Sequence, residues 1–173
     1  RSSELCLLIY AFYMTNIRIG IGYDVHQLQS GLPFILGGVQ LESDRGILAH
    51  SDGDILYHSI ADALLGAAAL GDIGKFFPDN NPKYKNMDSK VILLDVVSRL
   101  KKMSYSIVNI DVTIVLERPK LNPLISKIKS SVSNCLSIDL DQLNIKATTS
   151  ERMGFVGEEK GVACYSVVLI EKI

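Results

Sequence analysis

The segment Ile17–His26 alternates without a break, and no other stretch limits the fold of this chain as tightly. Ile17, Ile19, Ile21, Tyr23 and Val25 fall on one side, and Arg18, Gly20, Gly22, Asp24 and His26 on the other. Successive side chains of a strand point to opposite faces, so the pattern predicts a strand from which Asp24 and His26 project together. The expected packing puts the bulky face on the core and leaves the small, polar face open.

The rest of the chain supplies the layers around that strand. Pro33–Leu41 reads as a second strand that ends near Gly37-Gly38, making a short hairpin. Asp54 opens an amphipathic helix to about Leu70, with Leu56, Ile60, Leu64 and Ala67 at core spacing and Gly71 as its stop. Phe77–Asn86 is an irregular loop, and a second helix runs from about Asp88 to Met103. Tyr105–Leu116 is a strand. Asn122-Pro123 caps and starts a third helix, with Leu124, Ile128 and Val132 on one stripe. Leu143–Thr149 and Gly161–Ile170 are the last strands. Strands and helices in this order predict an α+β fold, a single mixed four-stranded sheet plus the hairpin, with helices on one face.

Length and charge exclude several functions. The chain has 173 residues, enough for one core. Its 18 basic and 19 acidic residues nearly cancel, which argues against a nucleic-acid partner. The apolar stretch Leu5–Met14 is shorter than the roughly 20 residues a membrane span needs, so no membrane partner is expected. Residues 1–16 are expected to be an N-terminal extension left from a longer precursor, a possible leader remnant; 17–173 form the domain. Cys6, Cys135 and Cys164 have no C-x-x-C spacing and are expected as buried thiols in a reducing compartment.

Chemistry concentrates between Asp24 and His58, a span that holds all three histidines, His26, His50 and His58. Asp54, His58 and Asp62 are one helical turn apart and share a face. One carboxylate and two imidazoles, Asp24, His26 and His58, make three ligands and leave a fourth position suited to catalytic zinc. Asp54 or Asp62 could take the second ring proton of His58. The competing reading is an exposed helix histidine beside a polar strand end, with His50-Ser51-Asp52-Gly53-Asp54 serving only as a turn and cap. Spacing leaves both open.

Lys146-Ala147-Thr148-Thr149-Ser150-Glu151 presents hydroxyls to a phosphate and a carboxylate to a second hard cation, Mg²⁺ or Mn²⁺. The same threonines also simply suit a strand. Arg118-Pro119-Lys120 precedes a helix N-terminus, which favours anions, although a solvated turn is the commoner outcome. Gly71-Asp72-Ile73-Gly74-Lys75 lacks P-loop spacing and reads as a helix stop.

Taken together, Arg18–His26, Gly37-Gly38-Val39, Leu48–Asp54, Asp62–Lys75, Phe77-Pro78-Asp79, Asp111–Ile114, Pro119-Lys120 and Lys146–Thr148 resemble the 2-C-methyl-D-erythritol 2,4-cyclodiphosphate synthase family. The resemblance runs from about Arg18 to the C-terminus. It implies a homotrimer with active sites between subunits. It also implies conversion of 4-diphosphocytidyl-2-C-methyl-D-erythritol 2-phosphate to the 2,4-cyclodiphosphate with release of CMP, in the non-mevalonate isoprenoid pathway. Catalysis would rest on positioning and charge neutralisation.

Carried over by residue, Asp24, His26 and His58 match zinc ligands, with Val25 between the first two in the substrate site. His50 and Ser51 match a phosphate-contacting pair. His50 and Thr149 match the two groups that stabilise the transition state. Asp72, Ile73 and Gly74 match the segment that holds the methylerythritol hydroxyls, and Phe77, Pro78, Asp79, Asn80 and Asn81 a flap over it. Leu116, Glu117, Arg118, Pro119, Lys120, Leu121 and Asn122 match the cytidine pocket. Thr148, Thr149 and Ser150 match diphosphate-binding positions, and Glu151 the ligand of the second cation. Phe155 matches an aromatic of the trimer-axis channel, where many members bind an isoprenoid diphosphate. Glu158 departs from the arginine expected there, with Lys160 following. Rival readings are a zinc phosphoesterase and a catalytically silent trimeric nucleotide-binding module. The compartment implied is a plastid stroma if the extension is a trimmed leader, and otherwise the cytoplasm.

Overall fold

The computed structural model describes residues 16–78, 81, 84 and 87–173. Strands β1 (Ile17–Ser30), β4 (Arg45–Leu48), β5 (Tyr105–Val115), β6 (Leu143–Thr148) and β7 (Gly161–Lys172) form one sheet in the order β4-β1-β7-β5-β6. The β5–β6 pair is parallel and the other pairs antiparallel, so the sheet is mixed. It has five strands rather than the expected four. β1 continues past His26 to Ser30, and this extension pairs with Arg45–Leu48. A four-residue strand is too short to register as an alternating pattern. β2 (Phe34–Leu36) and β3 (Val39–Leu41) form the separate hairpin, with Gly37 and Gly38 at φ 60° and 73° in its turn.

The central helix, α1 (Ile55–Ala67), lies between the sheet and α3 (Ser89–Lys102), packing on β1, β7 and α3. It is not amphipathic: of its 13 residues only Asp62 and Gly66 are not buried. Covered on both sides, it has no solvent face to carry a polar stripe. It also ends three residues earlier than expected, capped by Ala68, with Ala69 in the left-handed region. A single turn, α2 (Ile73–Phe76), follows, and Asn122–Leu124 forms a 3-10 turn before α4 (Ile125–Leu136). Asn122 caps neither element, because Leu121 and Leu124 occupy the cap positions without side-chain bonds. The last helical turn is α5 (Gly154–Gly157).

The faces of β1 are reversed relative to the expectation from sequence. Gly20 and Gly22 face α1, where a β-carbon would lie 2.0 Å from the carbonyl oxygen of Ala63 and 1.9 Å from that of Ser59. Only glycine lets the helix approach this closely. The bulky face is the open one: Ile19 and Ile21 are 71% and 70% exposed, beside exposed Ile17, Tyr23, Val25, Tyr165 and Val167. Alternation reports two unlike faces but not which one meets the helix.

Of the expected thiols, Cys135 and Cys164 are free and buried. Cys6 and residues 1–15 of the extension lie outside the described residues. No helix among the described residues is long and apolar enough to cross a membrane.

Candidate metal centre and neighbouring clefts

β1 projects Asp24 and His26 toward the first turn of α1, where His58 meets them. His58 Nδ1 lies 3.0 Å from Asp24 Oδ2, and His26 Nε2 lies 3.1 Å from the same oxygen. The two ring nitrogens are 3.3 Å apart. Zinc bonds of 2.0–2.1 Å at tetrahedral angles place ligand atoms roughly 3.3 Å apart, so this triangle fits one face of a zinc tetrahedron. Among the described residues, no other cluster of three such side chains comes together. His58 is therefore not the exposed helix histidine of the competing reading.

Electrostatics follow the same geometry. Burial alone would raise the Asp24 carboxyl, but hydrogen bonds and charge from His26 and His58 outweigh it and hold the group well below the usual carboxylate range. Burial pushes His58 down, yet the bond and charge of Asp24 raise it above the ordinary imidazole value.

The expected partners of His58 are not the observed ones. Asp54 is fully buried and spends its oxygens on the N–H groups of Gly37 (2.9 Å), Gly38 (2.6 Å) and Tyr57 (3.2 Å). Burial nonetheless raises its carboxyl. It caps α1 and ties the hairpin turn to the helix. Asp62 accepts from Ile73 N at 2.8 Å and anchors the loop before α2. His58 instead has its Nε2 2.8 Å from Ser89 Oγ and 3.4 Å from Ser51 Oγ. Ser89 was not singled out in the sequence, because nothing local announces that the start of α3 meets α1.

Other expected residues gather around the triad. His50, Ser51, Ile73, Gly74 and Phe77 line the same cleft of about 180 Å³. Asp72 turns its carboxylate to Lys75 N and caps α2. Phe77 packs edge-on against Tyr84, with ring centroids 5.4 Å apart, so the flap position has an aromatic partner that sequence reading missed. Asp79 and Asn80 lie outside the described residues.

The remaining expected residues line other clefts. Leu116, Lys120, Leu121 and Asn122 meet Thr148 and Thr149 around a cavity of about 370 Å³. Glu117, Arg118, Thr149 and Glu151 line a neighbouring one. Within one chain, His50 and Thr149 thus face different cavities. Glu117 accepts from the N–H groups of Ser150 (3.0 Å) and Arg152 (3.2 Å), and the Arg152 and Ser150 bonds hold its carboxyl below the usual range. Its side chain therefore braces the Thr149–Arg152 turn. Thr149 Oγ1 donates to Glu151 Oε1 at 2.9 Å. Phe155 is exposed, and Glu158 pairs with Lys160 at 2.5 Å.

The chain is similar to known proteins in sequence and in fold. The model of the YgbB family matches residues 17–171. The 2-C-methyl-D-erythritol 2,4-cyclodiphosphate synthase of Idiomarina loihiensis is 50% identical over 156 residues, covering 90% of this chain and 98% of that protein. A 2C-methyl-D-erythritol-2,4-cyclodiphosphate synthase solved with CDP bound superposes with a TM-score of 0.83 at 35% identity, covering 89% of this chain and all of the other. The bifunctional IspDF of Campylobacter jejuni superposes with a TM-score of 0.87 at 39% identity, over 91% of this chain and 42% of that one.

Proposed function

This chain belongs to the YgbB family of 2-C-methyl-D-erythritol 2,4-cyclodiphosphate synthases, and on that premise we propose that it makes the cyclodiphosphate and releases CMP. The substrate is 4-diphosphocytidyl-2-C-methyl-D-erythritol 2-phosphate. Its 2-phosphate oxygen attacks the β-phosphorus, the bond from that phosphorus to the bridging oxygen breaks, and CMP leaves with the electron pair. The observation that carries the reading is the 3.0–3.3 Å triangle of Asp24, His26 and His58, open to a cleft lined by His50, Ser51, Ile73 and Gly74.

Asp24 Oδ2, His26 Nε2 and His58 Nδ1 would hold zinc beside the cleft that these residues line. Bound there, zinc supplies a positive charge that withdraws electron density from a phosphate oxygen. His50 and Ser51 bind the phosphates, while Asp72, Ile73 and Gly74 orient the methylerythritol hydroxyls. Thr148, Thr149 and Ser150 hold the diphosphate, and Glu151 would hold Mg²⁺ or Mn²⁺. The 116–122 segment receives cytidine, with Glu117 keeping the Thr149–Arg152 turn in place.

The working enzyme is a homotrimer. Two observations support this: the apolar face of β1 and β7 is open in the single chain, and His50 and Thr149 line separate clefts. A neighbouring copy would cover that face and bring the nucleotide cleft to the metal. The Glu158–Lys160 pair leaves no free arginine-like charge at the expected axis position, so isoprenoid diphosphate binding there is not part of this reading.

Incubation with the diphosphocytidyl substrate, followed by phosphorus NMR with and without a chelator, tests the proposal. CMP and the cyclic diphosphate should appear together and stop with the chelator. A linear hydrolysed product would indicate a zinc phosphoesterase, and bound nucleotide without CMP release a silent binding module.

A further inference from the structure

We infer that Ser89 and Asp52 form a relay that presets His58 to ligate through Nδ1, making Ser89 a positioning residue of the metal centre. The inference rests on Asp24, His26 and His58 being metal ligands. Ser89 is fully buried, its Oγ 2.8 Å from His58 Nε2 and in a short contact with Asp52 Oδ1. A second bond from Ser89 N to Asp52 Oδ2, at 3.2 Å, fixes the carboxylate against the first turn of α3. Asp52 is itself held, its backbone N–H bonding to Met87 O and its Oδ1 accepting from Asp54 N.

Donor bookkeeping sets the direction of the relay. An ionised carboxylate only accepts, so the single Ser89 hydroxyl proton goes to Asp52. The remaining lone pair of Ser89 Oγ faces His58 Nε2, which must therefore carry the hydrogen. That leaves the Nδ1 lone pair of the neutral ring free, 3.0 Å from Asp24 Oδ2 and 3.3 Å from His26 Nε2, as a metal ligand requires. A metal ion would bind at that lone pair, and in its absence a proton taken up at Nδ1 donates to Asp24. Metal-bound imidazoles characteristically donate their second ring hydrogen to a carboxylate or other acceptor, which fixes tautomer and orientation. Here the hydroxyl of Ser89 stands between imidazole and carboxylate. Ser51 Oγ, at 3.4 Å from Nε2, is too distant to take over unaided.

Ser89→Ala removes the hydroxyl without adding bulk. Zinc affinity measured by chelator competition should fall about 10–100-fold, the usual cost of losing such a partner. In zinc-free wild type at alkaline pH, ring-nitrogen NMR should show His58 as the Nε2–H tautomer, and Ser89→Ala should shift the population toward Nδ1–H. Unchanged zinc affinity in a folded Ser89→Ala protein overturns the relay. If that variant does not fold, the wild-type tautomer decides, and an Nδ1–H imidazole overturns it. Wild type that binds no zinc would instead sink the metal reading, while the tautomer would still judge the relay.

Discussion

Gly22 on β1 lies so close to Ser59 on α1 that a β-carbon would sit 1.9 Å from the Ser59 carbonyl oxygen. Asp24, two residues along the strand, and His58, one residue before Ser59, owe their 3.0 Å separation to this contact. Gly22→Ala must therefore push strand and helix apart at backbone atoms that cannot rotate away. We expect a loss of about 3 kcal/mol in stability, and zinc binding weakened beyond what that loss explains. Urea denaturation with and without zinc measures both, and a fully stable, zinc-binding alanine variant would refute the link.

Asp54 joins the Gly37-Gly38 turn to the start of α1. Asp54→Ala strands three backbone N–H groups and removes a helix cap. The expected cost is about 3 kcal/mol in denaturant titrations. A change under about 0.5 kcal/mol, the range of ordinary surface substitutions, would show that water replaces the carboxylate freely.

The zinc-free protein should be most stable in mild acid. The raised His58 adds stability that is complete below its ordinary value of 6.5 and is lost as pH rises through the higher folded value. The lowered Asp24 adds stability present above 3.8 and lost as pH falls through its folded value. Zinc binding has the opposite slope near neutrality, since metal must displace the His58 proton. Chelation should thus lower the melting temperature more at about pH 8 than at about pH 6. Equal shifts at the two values would contradict the assignment of His58 as a ligand.

Cys164 lies on β7 against Ser59 of α1 and near Ser166, and burial pushes its thiol up to about 12. Near pH 8 only about one thiol in ten thousand is ionised. Iodoacetamide should leave Cys164 unmodified in the native protein and alkylate it fully in denaturant, read by peptide mass spectrometry. Native alkylation would mean that the core opens far more readily than its packing implies.

Ile21 stands 70% exposed at the centre of the open apolar face. Ile21→Asp should yield a folded monomer by sedimentation with no detectable CMP release. A variant that stays assembled would move the subunit contact elsewhere.

Much of the site was legible in residue order. Alternation over Ile17–His26 put Asp24 and His26 on one side, and helical periodicity put His58 on the first turn of α1. The resemblance then selected the metal reading that spacing had left open. Local signals also placed most of the strands and helices, because turn residues and periodicity act over a few residues. Tertiary structure decided the rest. It buried the glycine face of β1 instead of the isoleucine face, since helix approach depends on what Ala63 and Ser59 present from the other side. It gave Asp54 to a hairpin turn and Ser89 to His58, because a hydrogen-bond partner is chosen by distance in space, which a one-dimensional pattern does not encode.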